Sequence, residues 1–164
     1  MSIIVRIHGG LGNQLFQYAF ARGVSSRLKT DLLIDASPFE KPQYDPHIYH
    51  YKCCFPHFKA RIQYAQGYHM LGFVWLRKHR AFFDNFYRHL KLKRAILPFY
   101  YPERRFTFDY GVLRKGVTYF DGFWQTEKYF KDIEHELRSE LTLAKPLSEY
   151  GENIRDKMQK VNAV

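Results

Sequence analysis

The chain has 164 residues, 46% of them apolar and 18% aromatic, with a formal net charge of +10. That apolar share excludes a disordered tail and is enough for one domain with a real core. No run of about eighteen apolar residues offers a membrane-spanning helix, and residues 1–7 are too few and too β-branched for a signal peptide, so the cytoplasm is the default location.

The first element is Ile3-Ile4-Val5-Arg6-Ile7, a β-branched run that reads as a buried strand. The loop Gly9-Gly10-Leu11-Gly12-Asn13-Gln14 follows. Leu15, Phe16, Ala19, Phe20, Val24 and Leu28 then recur at spacings that put them on one stripe of a helix over 14–29. Strand, glycine loop and helix start together form an arrangement that holds a phosphate. Small residues let the backbone approach the ligand, and the helix start offers unpaired N–H groups and a positive dipole end. Two familiar loops do not match. A dinucleotide fingerprint would have its third glycine where Leu15 stands, and a P-loop would end in Gly-Lys-Ser/Thr rather than Gly12-Asn13-Gln14. The other reading is a tight strand-to-helix turn with Asn13 as N-cap and no ligand. Loop geometry alone leaves both open.

Thr30-Asp31 is a short return into a second strand, Leu32-Leu33-Ile34, so the two strands should run parallel. Asp35 ends it, either as a polar strand end or as an acid placed to touch a ribose. Residues 36–66 are loop-rich, with Pro38, Pro42, Pro46 and Pro56. His47, His50 and His57 lack metal-ligand spacing, and no metal site is expected. Cys53 and Cys54 are adjacent, which suits small buried hydrophobes rather than a bridge, a zinc knuckle or a redox pair. A helix is expected over 68–94. Between Arg77 and Arg94, seven lysines and arginines face Asp84 alone, around a stripe of Phe82, Phe83, Phe86, Tyr87 and Leu90. The first reading is an ordinary amphipathic helix with its stripe in the core. Contact with an anionic membrane surface comes second and nucleic acid a distant third. Residues 106–109 read as extended and 117–123 as a strand. Thr126 is expected to cap a helix with Tyr129, Phe130, Ile133, Leu137 and Leu141 inward. Pro146 marks a break before a last helix from Ser148 to Lys160. Strands alternating with helices argue for an α/β layer structure.

Two blocks carry a family resemblance. Gly9-Gly10-Leu11-Gly12-Asn13-Gln14-Leu15-Phe16-Gln17-Tyr18-Ala19-Phe20-Ala21-Arg22-Gly23, directly after the first strand, resembles the opening of the bacterial α-1,2-fucosyltransferases, glycosyltransferase family 11. Tyr119-Phe120-Asp121-Gly122-Phe123-Trp124-Gln125-Thr126-Glu127-Lys128-Tyr129-Phe130 is similar to that family's aromatic-Gly-aromatic-Trp-Gln-Ser/Thr-x-Lys-Tyr-Phe segment. The resemblance implies a Rossmann-like N-terminal half of a two-domain, GT-B-like glycosyltransferase. It implies metal-independent, inverting transfer of fucose from GDP-fucose to the 2-hydroxyl of a galactose-containing glycan, with no further cofactor. The family's later His-x-Arg-Arg-x-Asp-Tyr stretch, which opens the donor-binding domain, does not occur here. The expectation is therefore an N-terminal α/β domain over 1–145, then a connecting helix and the start of a second domain over 146–164. Such a half would be inactive alone.

Residue roles carry over where the motifs match. Gly10, Leu11, Gly12 and Asn13 are expected against GDP-fucose, with Asn13 offering an amide to a phosphate or sugar oxygen. Trp124 and Gln125 are candidates for lining the acceptor cleft. Asp35, Asp109, Asp121 and Glu127 are all available as general base, and none is singled out. A peripheral place at the inner membrane face would suit an enzyme acting on lipid-linked glycans. The competing readings are a nucleotide- or glycan-binding domain without turnover and a basic domain that binds membrane surfaces.

Overall fold

The computed structural model describes residues 2–40, 51–67, 72–73, 75, 79, 99–103, 107–113, 116 and 118–161. The apolar alternation at the start of the chain forms β1, Ser2–Arg6, with its three central residues buried. The helix after it, α1, runs Leu11–Leu28 and the second strand, β2, runs Asp31–Asp35. β1 and β2 pair in parallel, Ser2 opposite Asp31 and Arg6 opposite Asp35. Two further strands complete the sheet, β3 at Tyr100–Pro102 and β4 at Tyr119–Asp121. All four are parallel in the order β2-β1-β4-β3, so the domain is an α/β fold compatible with a Rossmann-like domain.

Strand alternation sorts the core onto two faces. Ile3, Val5, Ile34, Tyr101 and Phe120 face the α1 layer, where they meet Tyr18, Phe20 and Val24. Ile4, Leu33, Tyr100 and Tyr119 face the other way, with Phe73 packed on them. Phe20 anchors the first layer. Its ring stacks on Trp124 at 4.1 Å and takes edge contacts from Phe120 and Tyr129. α1 approaches the turn at 127–130 so closely that a Cβ at Gly23 would collide with the Tyr129 carbonyl oxygen.

Several elements differ from the sequence expectation. α1 starts at Leu11, with Gly10 as N-cap and no side-chain cap, so Asn13 is the third helical residue rather than the N-cap. The expected stripe is only partly inward. Phe16 is exposed, while Gln14, Gln17, Tyr18 and Ala21 are buried, because the helix is covered by both the sheet and the segment that follows β4. Thr126 opens two short 3₁₀ turns, Glu127–Tyr129 and Lys131–Ile133, and its side chain makes no cap bond. The true α-helix there is α2, Glu134–Glu140. Tyr129, Ile133 and Leu137 are buried as expected, and Phe130 and Leu141 are half-buried. The strand expected over 117–123 is confined to β4, and β3 was not anticipated. The last helix, α3, spans Glu149–Lys160, and the Ser148 hydroxyl caps it by accepting from the Gly151 N–H. The basic aromatic segment from Arg77 to Arg94, and with it the choice between an ordinary amphipathic helix, membrane contact and nucleic-acid binding, lies outside the described residues apart from His79. Among the described residues no helix is long and apolar enough to cross a membrane.

Candidate functional site

In an open parallel sheet, ligands settle beyond the carboxyl ends of the strands, where the chain reverses its direction of winding. Here that point lies between β1 and β4. The chain leaves β1 toward β2 on one side, while β4 and β3 occupy the other. Two loops border it: residues 7–10 after β1 and residues 122–126 after β4.

The first loop is shaped by its glycines. Gly9 has φ of +80°, a left-handed backbone that L side chains rarely adopt. At Gly12 a Cβ would meet nothing within 4 Å, so the first turn of α1 borders open space. Gln14 N–H makes the first intrahelical bond, to Gly10 O. The N–H groups of Leu11, Gly12 and Asn13 therefore have no partner within the helix. No acidic residue occupies that turn, so its positive end is uncompensated.

The second loop is held by Glu103, just past β3. Its carboxylate accepts from the backbone N–H of Phe123 at 2.6 Å and of Trp124 at 3.1 Å. Trp124 has φ of +56°, unusual for a bulky residue. That turn sends the indole into the core, where it is 1% exposed, and leaves Gln125 exposed. The two loops then meet directly. Gln125 Nε2 donates to Asn13 Oδ1 at 2.8 Å, and the His8 ring lies edge-on to Phe123 at 4.7 Å.

Two glutamines that sequence reasoning missed fasten these loops. Gln17 Oε1 accepts from the His8 N–H and its Nε2 donates to Gly122 O, so one side chain joins both loops. Gln14 Nε2 donates to Gly9 O and Lys52 O while its Oε1 accepts from the Cys54 N–H, tying residues 51–54 to the glycine loop. The available signal was a pair of amides three residues apart on the apolar side of α1, where polar groups need buried partners. Cys54 is buried there, and burial pushes its thiol up to about 11.

Thus Gly10, Leu11, Gly12, Asn13 and Gln125 lie on the two loops that meet at the winding reversal, whereas Trp124 packs into the core. Three of the four acids considered as bases are occupied by structural bonds. Asp35 accepts from Tyr119 OH and Ser37 N–H, and Asp109 from Tyr101 OH and Gly111 N–H. Asp121 accepts from Arg6 at 3.1 Å and Tyr100 OH at 2.8 Å. Burial, followed by the charge of Asp35, holds the Tyr119 phenol well above its ordinary range, so it remains the donor. Glu127 is exposed, on the rim of an apolar groove that begins at Gly12.

The fold and the site together define a class: a parallel α/β domain with a helix N-terminus opening onto its winding reversal. Among curated proteins the chain is similar to an alpha-1,2-colitosyltransferase of Escherichia coli, with 30% identity over 151 residues, covering 87% of this chain and 46% of that protein. The chain thus spans about half the length of the curated relative it matches. No protein-family profile matches the chain, and no solved structure does.

Proposed function

We propose that this chain is the glycine-loop half of a sugar transferase, moving fucose from GDP-fucose to the 2-hydroxyl of a galactoside without a metal. One observation carries the reading. The two blocks that resemble the α-1,2-fucosyltransferases lie far apart in sequence, yet they meet through the Asn13–Gln125 bond at the winding reversal of the sheet. The similarity to a colitosyltransferase supports sugar transfer and the α-1,2 linkage, and it makes the identity of the sugar the point to test.

The chemistry asks for stabilisation of a departing diphosphate, and the free N–H groups and dipole of α1 are suited to it. It also asks for a fixed approach of acceptor to donor, and the Gln14 and Gln17 bonds tie the two loops to α1 and, through Gln17, to each other. Asn13 and Gln125 carry amides that read sugar or phosphate oxygens. The chain by itself is expected to bind the nucleotide sugar without turning it over.

Thermal unfolding with added GDP, GDP-fucose, GDP-colitose or a uridine nucleotide tests this. The guanine compounds should raise the midpoint with concentration, by an amount corresponding to about 2.7 kcal/mol at a hundred times Kd. Asn13→Ala should remove the response. A larger shift with GDP-colitose than with GDP-fucose would reassign the sugar. No response to any guanine nucleotide would sink the proposal.

A further inference from the structure

The two glycines at the start of α1 have different neighbours. Nothing approaches the Cβ position of Gly12, whereas a Cβ at Gly10 would come within 3.1 Å of the Tyr51 ring. Gly10 has φ of −73° and ψ of 175°, an extended conformation open to any residue. Its missing side chain therefore answers to Tyr51. The ring lies where that side chain would point and covers the loop at the helix N-cap.

Tyr51 is held there through the backbone that follows it. Gln14 donates to Lys52 O and accepts from the Cys54 N–H, which fixes the segment against the first turn of α1. Even so, Tyr51 is 50% exposed, and Leu11, the first helical residue, is 55% exposed. Two large apolar surfaces thus flank a helix start whose first N–H groups lack helical partners. A bare phosphate has no use for such surfaces. A phosphate ester carrying a ring does, because its anion meets the N–H groups while a ring face lies on the aromatic.

We propose that Tyr51 forms a third side of the site, its ring taking the face of the sugar that is transferred. The inference rests on the sugar-transferase reading and adds to it a specificity residue outside both motif blocks. A 6-deoxy sugar such as fucose suits the ring, since it presents a C–H face with a methyl in place of a hydroxymethyl group. The amides of Asn13 and Gln125, at the same helix start, complement it by reading hydroxyls. Guanine, the ring at the other end of the diphosphate, is the competing partner for an aromatic face, and the test separates the two.

Titration calorimetry of the full chain with GDP and with GDP-fucose, on wild type, Tyr51→Ala and Tyr51→Phe, tests the assignment. Tyr51 is exposed and the Gln14 bonds go to backbone, so both variants should fold, and unfolding midpoints without ligand check it. Wild type should bind GDP-fucose at least about tenfold more tightly than GDP, the scale of one apolar contact in a pocket. Tyr51→Ala should bind GDP as wild type does and lose that margin, and Tyr51→Phe should keep it. Equal affinity of wild type for the two ligands, or a margin that survives Tyr51→Ala, would overturn the proposal. So would an equal loss of GDP and GDP-fucose affinity in Tyr51→Ala, which assigns the ring to guanine. These three results leave the transferase reading standing. Failure of wild type to bind either ligand removes that reading and this proposal with it.

Discussion

Gly12 is the residue at which a ligand loop and an ordinary turn part company. Its conformation needs no glycine and its Cβ position is open, so packing gives no reason for the missing side chain. Gly12→Ala is therefore expected to stabilise the first turn of α1, by up to about 1 kcal/mol in a urea titration. A ligand that uses the open space should lose affinity in the same variant, read as a smaller thermal shift with GDP. If binding is unchanged, nothing approaches the backbone at that position. Gly23 is the contrasting case, since its Cβ would strike the Tyr129 carbonyl, and that glycine belongs to packing alone. Trp124 illustrates why residue type did not reveal position. A tryptophan beside a glutamine reads equally as a sugar platform or as core, and a left-handed φ of +56° is what put the indole against Phe20.

At the scale of elements, Gln17 decides whether the two loops act as one site. Removing its amide leaves the His8 N–H and Gly122 carbonyl without that partner, and an unmet buried group costs about 1–3 kcal/mol. Gln17→Leu is expected to lower stability by that amount in chemical unfolding and to weaken GDP binding further, because Asn13 and Gln125 would no longer be held in register. Equal stability of variant and wild type would mean that water replaces both bonds. β1, β2 and α3 were legible because local pattern and length agreed, and α1 was legible as a helix although its cap and inward face were not. β3 was not, since three residues between Phe99 and Glu103 carry no alternation, and their strand character comes from pairing with β4. The turns at 127–133 read as helix because their apolar spacing suits one. There the chain lies close against α1, with the Tyr129 carbonyl over Gly23, and turns in two 3₁₀ steps before the α-helix begins.

Across the whole molecule, charged contacts join parts that hydrophobic burial leaves free to slide. On the sheet face opposite α1, Asp35 and Asp121 flank Arg6 at the carboxyl edge, with Tyr119 and Tyr100 bonded beneath them. On the other side, Glu140 of α2 accepts from Tyr18 OH at 2.7 Å and from Arg22 at 2.7 Å, fastening α2 to α1. Burial works against the Glu140 carboxylate, but the Arg22 and Tyr18 bonds outweigh it and hold its pKa below the usual value. A carboxyl depressed in the folded state stabilises above its unfolded pKa of about 4.3, and that contribution fades as pH falls through the folded value. Tyr18 has the opposite sign. Burial and then Glu140 raise its pKa, so its contribution is complete below about 10 and fades as pH rises through the folded value. Asp132, held low by its bond to Arg27, adds to the acid side. Glu140→Gln isolates the one tie, because Asp132 is untouched. At pH 7 the variant should be less stable by about 1 kcal/mol, solvent at the partly open site keeping the loss small. As pH falls below about 4.3 and through the lower folded value of Glu140, the wild type should lose that advantage and the two urea midpoints should converge. A gap that stays constant across this range would mean that the α1–α2 contact is held by packing and that the charge of Glu140 contributes nothing.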